Sequence, residues 1–157
     1  MSERSHDALI ALRQIQRKVE QYARTLARTE GLTPSQLKVL QLLTEYPEIS
    51  VGWISEQTRL KSATITTLID KLVERGMVSR RRCDTDRRRV WIRMEPSGRT
   101  ALEKAPDLLQ AIFEQRFEQL PDYQQAMLVS SLELVVNMLE AGNIDAAPVL
   151  EFGALDE

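Results

Sequence analysis

The stretch SATITTLIDKLVERGMVSRRRCDTDRRRVWIRM, Ser62 to Met94, changes its period in the middle, and that change decides the fold. In its first part Ile65, Leu68, Ile69 and Leu72 recur at helical spacing and line one face of a helix that runs to Arg75. Gly76 follows, where a helix needs a left-handed residue to stop. Beyond it Val90, Ile92 and Met94 alternate with Arg89, Trp91 and Arg93, as a half-buried strand requires. The segments Met77–Cys83 and Arg88–Met94 are joined by Asp84-Thr85-Asp86-Arg87, which is composed for a turn. The stretch predicts a helix and then a β-hairpin with an arginine-rich tip.

Upstream, Ser50 caps a short helix, Val51–Thr58, whose apolar side is Trp53 and Ile54. Arg59-Leu60-Lys61 separates it from the helix at Ser62, a helix-turn-helix spacing. Thr33-Pro34-Ser35-Gln36 combines an N-cap, a first-turn proline and a capping-box glutamine. It opens a helix through Leu37, Leu40 and Leu43 to about Tyr46. The first helix, Asp7 to Arg28, carries the stripe Leu12, Ile15, Val19, Tyr22 and Leu26 and is stopped by Gly31; His6 falls in a frayed start. Downstream, Ser97 is read as the cap of a fifth helix carrying Leu102, Leu109, Ile112 and Phe113, which Pro106 should kink or split. Pro121-Asp122 opens a sixth, to about Ala141, with Leu128, Leu132, Val135 and Leu139 in a row. The first and last stripes would serve a second subunit or a monomer's own core equally well. From Gly142 no period is visible.

A length of 157 residues with 43% hydrophobic content allows one packed domain with appended helices. The net charge of −2 conceals an asymmetry: residues 59–93 hold 11 Lys/Arg and 4 Asp/Glu (11 − 4 = +7), leaving 10 and 19 elsewhere (10 − 19 = −9). One basic patch on an otherwise acidic chain points to a polyanion met by one surface, whereas an ordinary charged surface would scatter the signs. Cys83 is the only cysteine and His6 the only histidine, which excludes an intramolecular disulfide framework, a cysteine metal cluster and a histidine-based triad near the patch. No glycine-rich phosphate loop follows a strand, so an enzyme is not expected, and no cofactor or metal. No run reaches the roughly 18 apolar residues of a membrane span, and the start MSERSHDALIALRQ lacks an apolar signal core. The expectation is a cytoplasmic protein with no membrane partner.

Away from its apolar face, the fourth helix begins with Ser62, Ala63, Thr64, Thr66 and Thr67, with Asp70, Lys71 and Glu74 further on. Small and hydroxyl-bearing residues let a helix backbone approach base edges in a major groove. Alone, the same residues could simply cap a solvated helix; the basic hairpin within ten residues favours the first reading. In the hairpin, Arg80, Arg81, Arg82 and Arg89 suit phosphates, and the tip pair Arg87 and Arg88 suits a narrow minor groove. Asp84 and Asp86 read as charge partners that give the tip its shape. The competing reading is a winged-helix module that binds an acidic protein partner and no specific DNA.

The segment SVGWISEQTRLKSATITTLIDKLVERGMVSRRRCDTDRRRVWIRMEPSGR, Ser50 to Arg99, resembles the MarR family of winged-helix transcriptional regulators. LIDKLVERGMVSR, DTDRRRV and the serine and glycine after the last strand carry the likeness, which extends more weakly over residues 7–141. The resemblance implies a mainly α fold with a small β-hairpin wing: a winged helix-turn-helix lobe (30–99) flanked by N- and C-terminal dimerisation helices (7–29 and 97–141), then a tail (142–157). It implies a homodimer packed through Leu12, Ile15, Val19, Leu128, Leu132, Val135 and Leu139. It also implies base contacts from Ser62, Ala63, Thr64, Thr66 and Thr67, with Lys71 nearer the DNA backbone. Arg87 or Arg88 becomes the wing arginine and Asp86 its orienting carboxylate. Many members bind a small anionic or aromatic effector between lobe and dimerisation helices. Others sense oxidants through a cysteine in the N-terminal helix, which this chain lacks; Cys83 is read as passive. The tail GNIDAAPVLEFG is similar to that of members controlling osmolyte synthesis genes.

Overall fold

In the computed structural model, residues 2–86 and 88–144 are described; Met1, Arg87 and 145–157 lie outside them, and with them one of the two tip arginines and most of the tail. The chain order is α1 (Glu3–Glu30), α2 (Pro34–Glu45), β1 (Ile49–Ser50), α3 (Val51–Thr58), α4 (Ser62–Glu74), β2 (Val78–Arg82), β3 (Val90–Met94), α5 (Pro96–Lys104), α6 (Leu109–Glu118) and α7 (Asp122–Met138), with a 3-10 turn at Ala141–Asn143. The fold is mainly α with a small antiparallel sheet, as the change of period predicts.

Local chemistry explains most boundaries. Thr33 and Gln36 form the expected capping box: the Gln36 N–H donates to Thr33 Oγ1 at 3.2 Å, and the Thr33 N–H donates to Gln36 Oε1 at 3.0 Å. Gly31 (φ 63°) and Gly76 (φ 66°) take the left-handed conformation that ends α1 and α4. The proline at 106 splits the predicted fifth helix, and α6 restarts at Leu109. Three readings need correction. Ser2 caps α1 by accepting from the Ser5 N–H at 3.2 Å, so His6 lies in a formed helix and not in a frayed end. Ser97 is not the cap of α5: Glu95 holds that position, Pro96 is in the first turn, and Ser97 Oγ donates to the Gly76 carbonyl at 2.6 Å. The two-residue strand β1 was not expected; it completes the sheet in the order β1-β3-β2, pairing Ile49 with Ile92.

The core belongs to the middle of the chain. Leu37, Val39, Leu40 and Leu43 of α2, Ile54 of α3, Ile65, Leu68, Ile69 and Leu72 of α4, and Val78 and Ile92 of the sheet are all buried, with Leu26, Leu32, Ala101 and Leu108 closing it. Each large aliphatic side chain so buried contributes about 1.5–3 kcal/mol. By contrast α7 buries no residue at all, and α1 buries only Leu26. The α7 stripe therefore lines no monomer core, and the α1 stripe enters it only at its C-terminal end, through Leu26 with half-buried Tyr22 packed against the cluster.

Candidate nucleic-acid interface

The apolar face of α4 fixes the helix, and everything opposite it is turned outward. Ser62, Ala63, Thr66, Thr67, Asp70 and Lys71 are exposed and Thr64 is half-buried. No side-chain hydrogen bond caps the start of α4 among the described residues, so its first turn presents N–H groups with the partial positive charge of a helix end. Thr66 Oγ1 donates to the Ser62 carbonyl at 2.9 Å and Thr67 Oγ1 to the Ala63 carbonyl at 3.2 Å. With their protons used inside the helix, both hydroxyls face outward as acceptors beside their methyl groups.

The turn before α4 is built to hold its angle. Ser55 Oγ donates to the Leu60 carbonyl at 2.5 Å, while buried Thr58 donates to Ile54 and accepts from the Leu60 N–H at 3.3 Å. Arg59 stands there at φ 56°, a conformation that glycine adopts more easily. Nothing in the local sequence announces it.

The wing is the hairpin of β2 and β3, in the register Val78 with Met94, Arg80 with Ile92, and Arg82 with Val90. That register places Arg80 on the side of α4, where its Nη2 meets Asp70 Oδ1 at 2.5 Å and donates to the Thr66 carbonyl at 3.3 Å. Arg80 thus braces α4 against the wing. Arg81 points to the other face and meets Glu48, at 3.1 Å from Nη2 to Oε2, and more distantly Asp84 at 3.9 Å. Arg93 meets the same Glu48 at 2.9 Å. Hydrogen bonding from Arg81, and the charges of both guanidiniums, hold the Glu48 carboxyl below its usual range. Arg75, further back, donates to the Gly31 and Glu30 carbonyls and so closes the end of α1.

At the tip Asp86 works mainly on the backbone. Its Oδ1 accepts from the Arg88 N–H at 3.0 Å, and its carboxylate lies 4.0 Å from Arg89 Nε. Arg82 and Arg88 are exposed and carry no ion pair among the described residues. Cys83 is a free, half-buried thiol 3.1 Å from Thr85 Oγ1. That hydrogen bond, helped by the backbone N–H groups of Asp86 and Thr85 and by Trp91, lowers its pKa to about 7.

The seven apolar positions expected at a subunit interface lie on α1, on α7 and at its C-terminal end. Leu12, Val19, Leu128 and Val135 are half-buried, while Ile15 is 54% exposed, Leu132 43% and Leu139 62%. Ile15, Val19 and Leu128 meet around a cleft of about 680 Å³ between α1, α6 and α7, with Phe113, Phe117, Lys18 and Arg116 on its walls. Among the described residues no helix is long and apolar enough to cross a membrane, and no group of His, Cys, Asp or Glu is gathered for a metal ion.

A helix-turn-helix whose second helix exposes a small, hydroxyl-rich start beside a basic β-wing is the fold of a winged-helix DNA-binding protein. The sequence model of the MarR family matches residues 32–90. YsmB of Bacillus subtilis (strain 168), an uncharacterized HTH-type transcriptional regulator, is 30% identical over 122 residues, which is 78% of this chain and 84% of YsmB. This chain belongs to the MarR family of transcriptional regulators, and is a regulator and not an enzyme. Solved structures agree on the fold. A MepR-like protein complexed with pseudoligands superposes with a TM-score of 0.61 at 24% identity, covering 85% of this chain and 94% of that one. A mutant Escherichia coli MarR complexed with operator DNA gives 0.51 at 23% identity, covering 83% and 96%.

Proposed function

We propose that this regulator is a cytoplasmic homodimer that binds a pseudo-palindromic operator and represses transcription by occupying it. The observation that carries the reading is the contrast between two surfaces. One is the exposed, polar start of α4 beside the wing. The other is the apolar surface of α1, α6 and α7, where Leu9, Ile10, Ile15, Phe113, Met127, Leu132, Leu134 and Met138 stand exposed on a chain whose core lies elsewhere. Exposed apolar area on that scale marks an interface, and a second copy supplies the complementary surface by symmetry. The division that follows is a lobe of residues 30–99 between dimerisation segments 7–29 and 97–141, with 142–157 as a tail.

In this reading Ser62, Ala63, Thr64, Thr66 and Thr67 face base edges and Lys71 faces phosphate. Of the wing residues, Arg82 and Arg89 suit phosphates, and Arg87 or Arg88 enters the minor groove with Asp86 shaping the tip. Two lobes reach successive major grooves, so half-sites lie about 10 bp apart. The family complex with operator DNA supports this docking for a shared fold. The apolar cleft with Lys18 and Arg116 on its walls has the chemistry to take a small anionic or aromatic effector. Such a ligand would release DNA by favouring a lobe spacing that does not fit the operator.

The test is a gel shift with DNA from beside the chain's own gene, with random competitor and a salt titration, on protein of measured mass in solution. A competitor-resistant, salt-sensitive complex of a dimer supports the reading. If operator affinity were unmoved by joint Arg87→Ala and Arg88→Ala changes, the role given to the wing tip would be lost.

A further inference from the structure

We propose that Glu48 is a specificity-determining counter-ion: it holds Arg81 and Arg93 against the outer face of the wing and so withholds two cations from DNA phosphates. The proposal rests on the DNA-binding reading above and deepens it. Glu48 directly precedes Ile49, which pairs with Ile92, so it enters the sheet beside Arg93. Arg81 pairs with Trp91 and Ser79 with Arg93, which makes Arg81 and Arg93 diagonal neighbours on one sheet face. Two like charges so placed repel. The Glu48 carboxylate lies between them and uses both oxygens: Oε2 accepts from Arg81 Nη2 at 3.1 Å, and Oε1 accepts from Arg93 Nη2 at 2.9 Å and from Arg81 Nε at 3.5 Å.

A guanidinium fork meeting two carboxylate oxygens is also the way arginine meets a phosphate. Glu48 therefore occupies the donors that a phosphate would take. The arginines stay within reach of solvent, with side chains 54% and 63% exposed, so their removal from the phosphate count comes from pairing and not from burial. Phosphate contacts carry no sequence information and support operator and random DNA alike. Cations free to find any phosphate would strengthen random binding most, because base contacts fix the register on the operator. The internal pairing thus keeps the ratio of operator to random affinity high. On this proposal Arg81, expected from the sequence among the phosphate partners, is held by Glu48 instead.

The experiment measures binding of the full chain to operator and to a random duplex of equal length over a range of salt, for wild type, Glu48→Gln, Arg81→Gln/Arg93→Gln and the triple variant. Glu48→Gln should bind random DNA several-fold more tightly, and its salt slope should steepen by up to about 1.8, two phosphates at about 0.9 each. The arginine pair changed in wild type should leave the random-DNA slope nearly unmoved, and changed together with Glu48→Gln it should remove the gain. A slope unaltered or flatter in Glu48→Gln overturns the proposal. So does a wild-type slope that loses two contacts when the arginines are changed. A wild type that binds neither duplex refutes the DNA-binding reading and the proposal with it; an operator-binding wild type with an unmoved Glu48→Gln slope refutes the proposal alone.

Discussion

Replacing Gly98 by alanine sets two opposed effects against each other, and the geometry says which one wins. Gly98 lies in the first turn of α5, and inside a helix alanine is favoured over glycine by about 1 kcal/mol. Against that, a Cβ at this position would stand 2.3 Å from the Met77 carbonyl oxygen and 3.0 Å from Met94 Sδ. The methionine sulfur can swing aside. The carbonyl cannot, because the Glu95 N–H donates to it at 2.9 Å and Ser97 ties the preceding carbonyl, that of Gly76, to α5 at 2.6 Å. A carbon–oxygen contact settles near 3.3 Å, so the chain must part by about 1 Å. Forced overpacking costs about 1–3 kcal/mol and a weakened hydrogen bond about 1 more. After the propensity gain, Gly98→Ala should destabilise by about 1–3 kcal/mol. Urea unfolding at fixed protein concentration, followed by circular dichroism, would show a midpoint lowered by about 1 M for an m of about 2 kcal/mol/M. A variant as stable as wild type, or more so, would refute the close approach of α5 to the root of the wing.

Two groups of substitutions test the proposed contacts. Lys71→Ala should weaken operator and random DNA about equally and flatten the salt slope by about 0.9, whereas Thr67→Val should mainly reduce the ratio between the two DNAs. Salt-titrated anisotropy separates these outcomes; a Lys71→Ala effect confined to the operator would contradict the sorting. For Cys83, the lowered pKa means that the thiolate fraction rises as pH passes through about 7, so alkylation by iodoacetamide should reach half its limiting rate there. Thr85→Val should move that midpoint upward, and a wild-type midpoint at the ordinary 8.5 or so would deny the hydrogen bond from Thr85.

What could be read from the sequence, and what could not, follows the range of each interaction. Thr33 and Gln36, Gly76 and Pro106 act within a turn or so of themselves, and each marks the boundary it was expected to mark. Ser97 misled because Glu95 and Pro96 begin the helix earlier and leave its hydroxyl to bond with Gly76, 21 residues away. β1 spans two residues, too few to show any period. The arginines of the wing looked alike in sequence, since their differences lie in distant partners: Glu48 for Arg81 and Arg93, Asp70 for Arg80. The stripes on α1 and α7 were ambiguous until the core was found to close without α7 and with only the C-terminal end of the α1 stripe, Leu26 and the half-buried Tyr22.

Hydroxyl-radical footprinting of the regulator on the DNA beside its gene reads the proposed docking itself. Two related protected half-sites about 10 bp apart are expected, each with minor-groove protection from a wing at its flank. Protection of one isolated half-site, or none that survives random competitor, would contradict it.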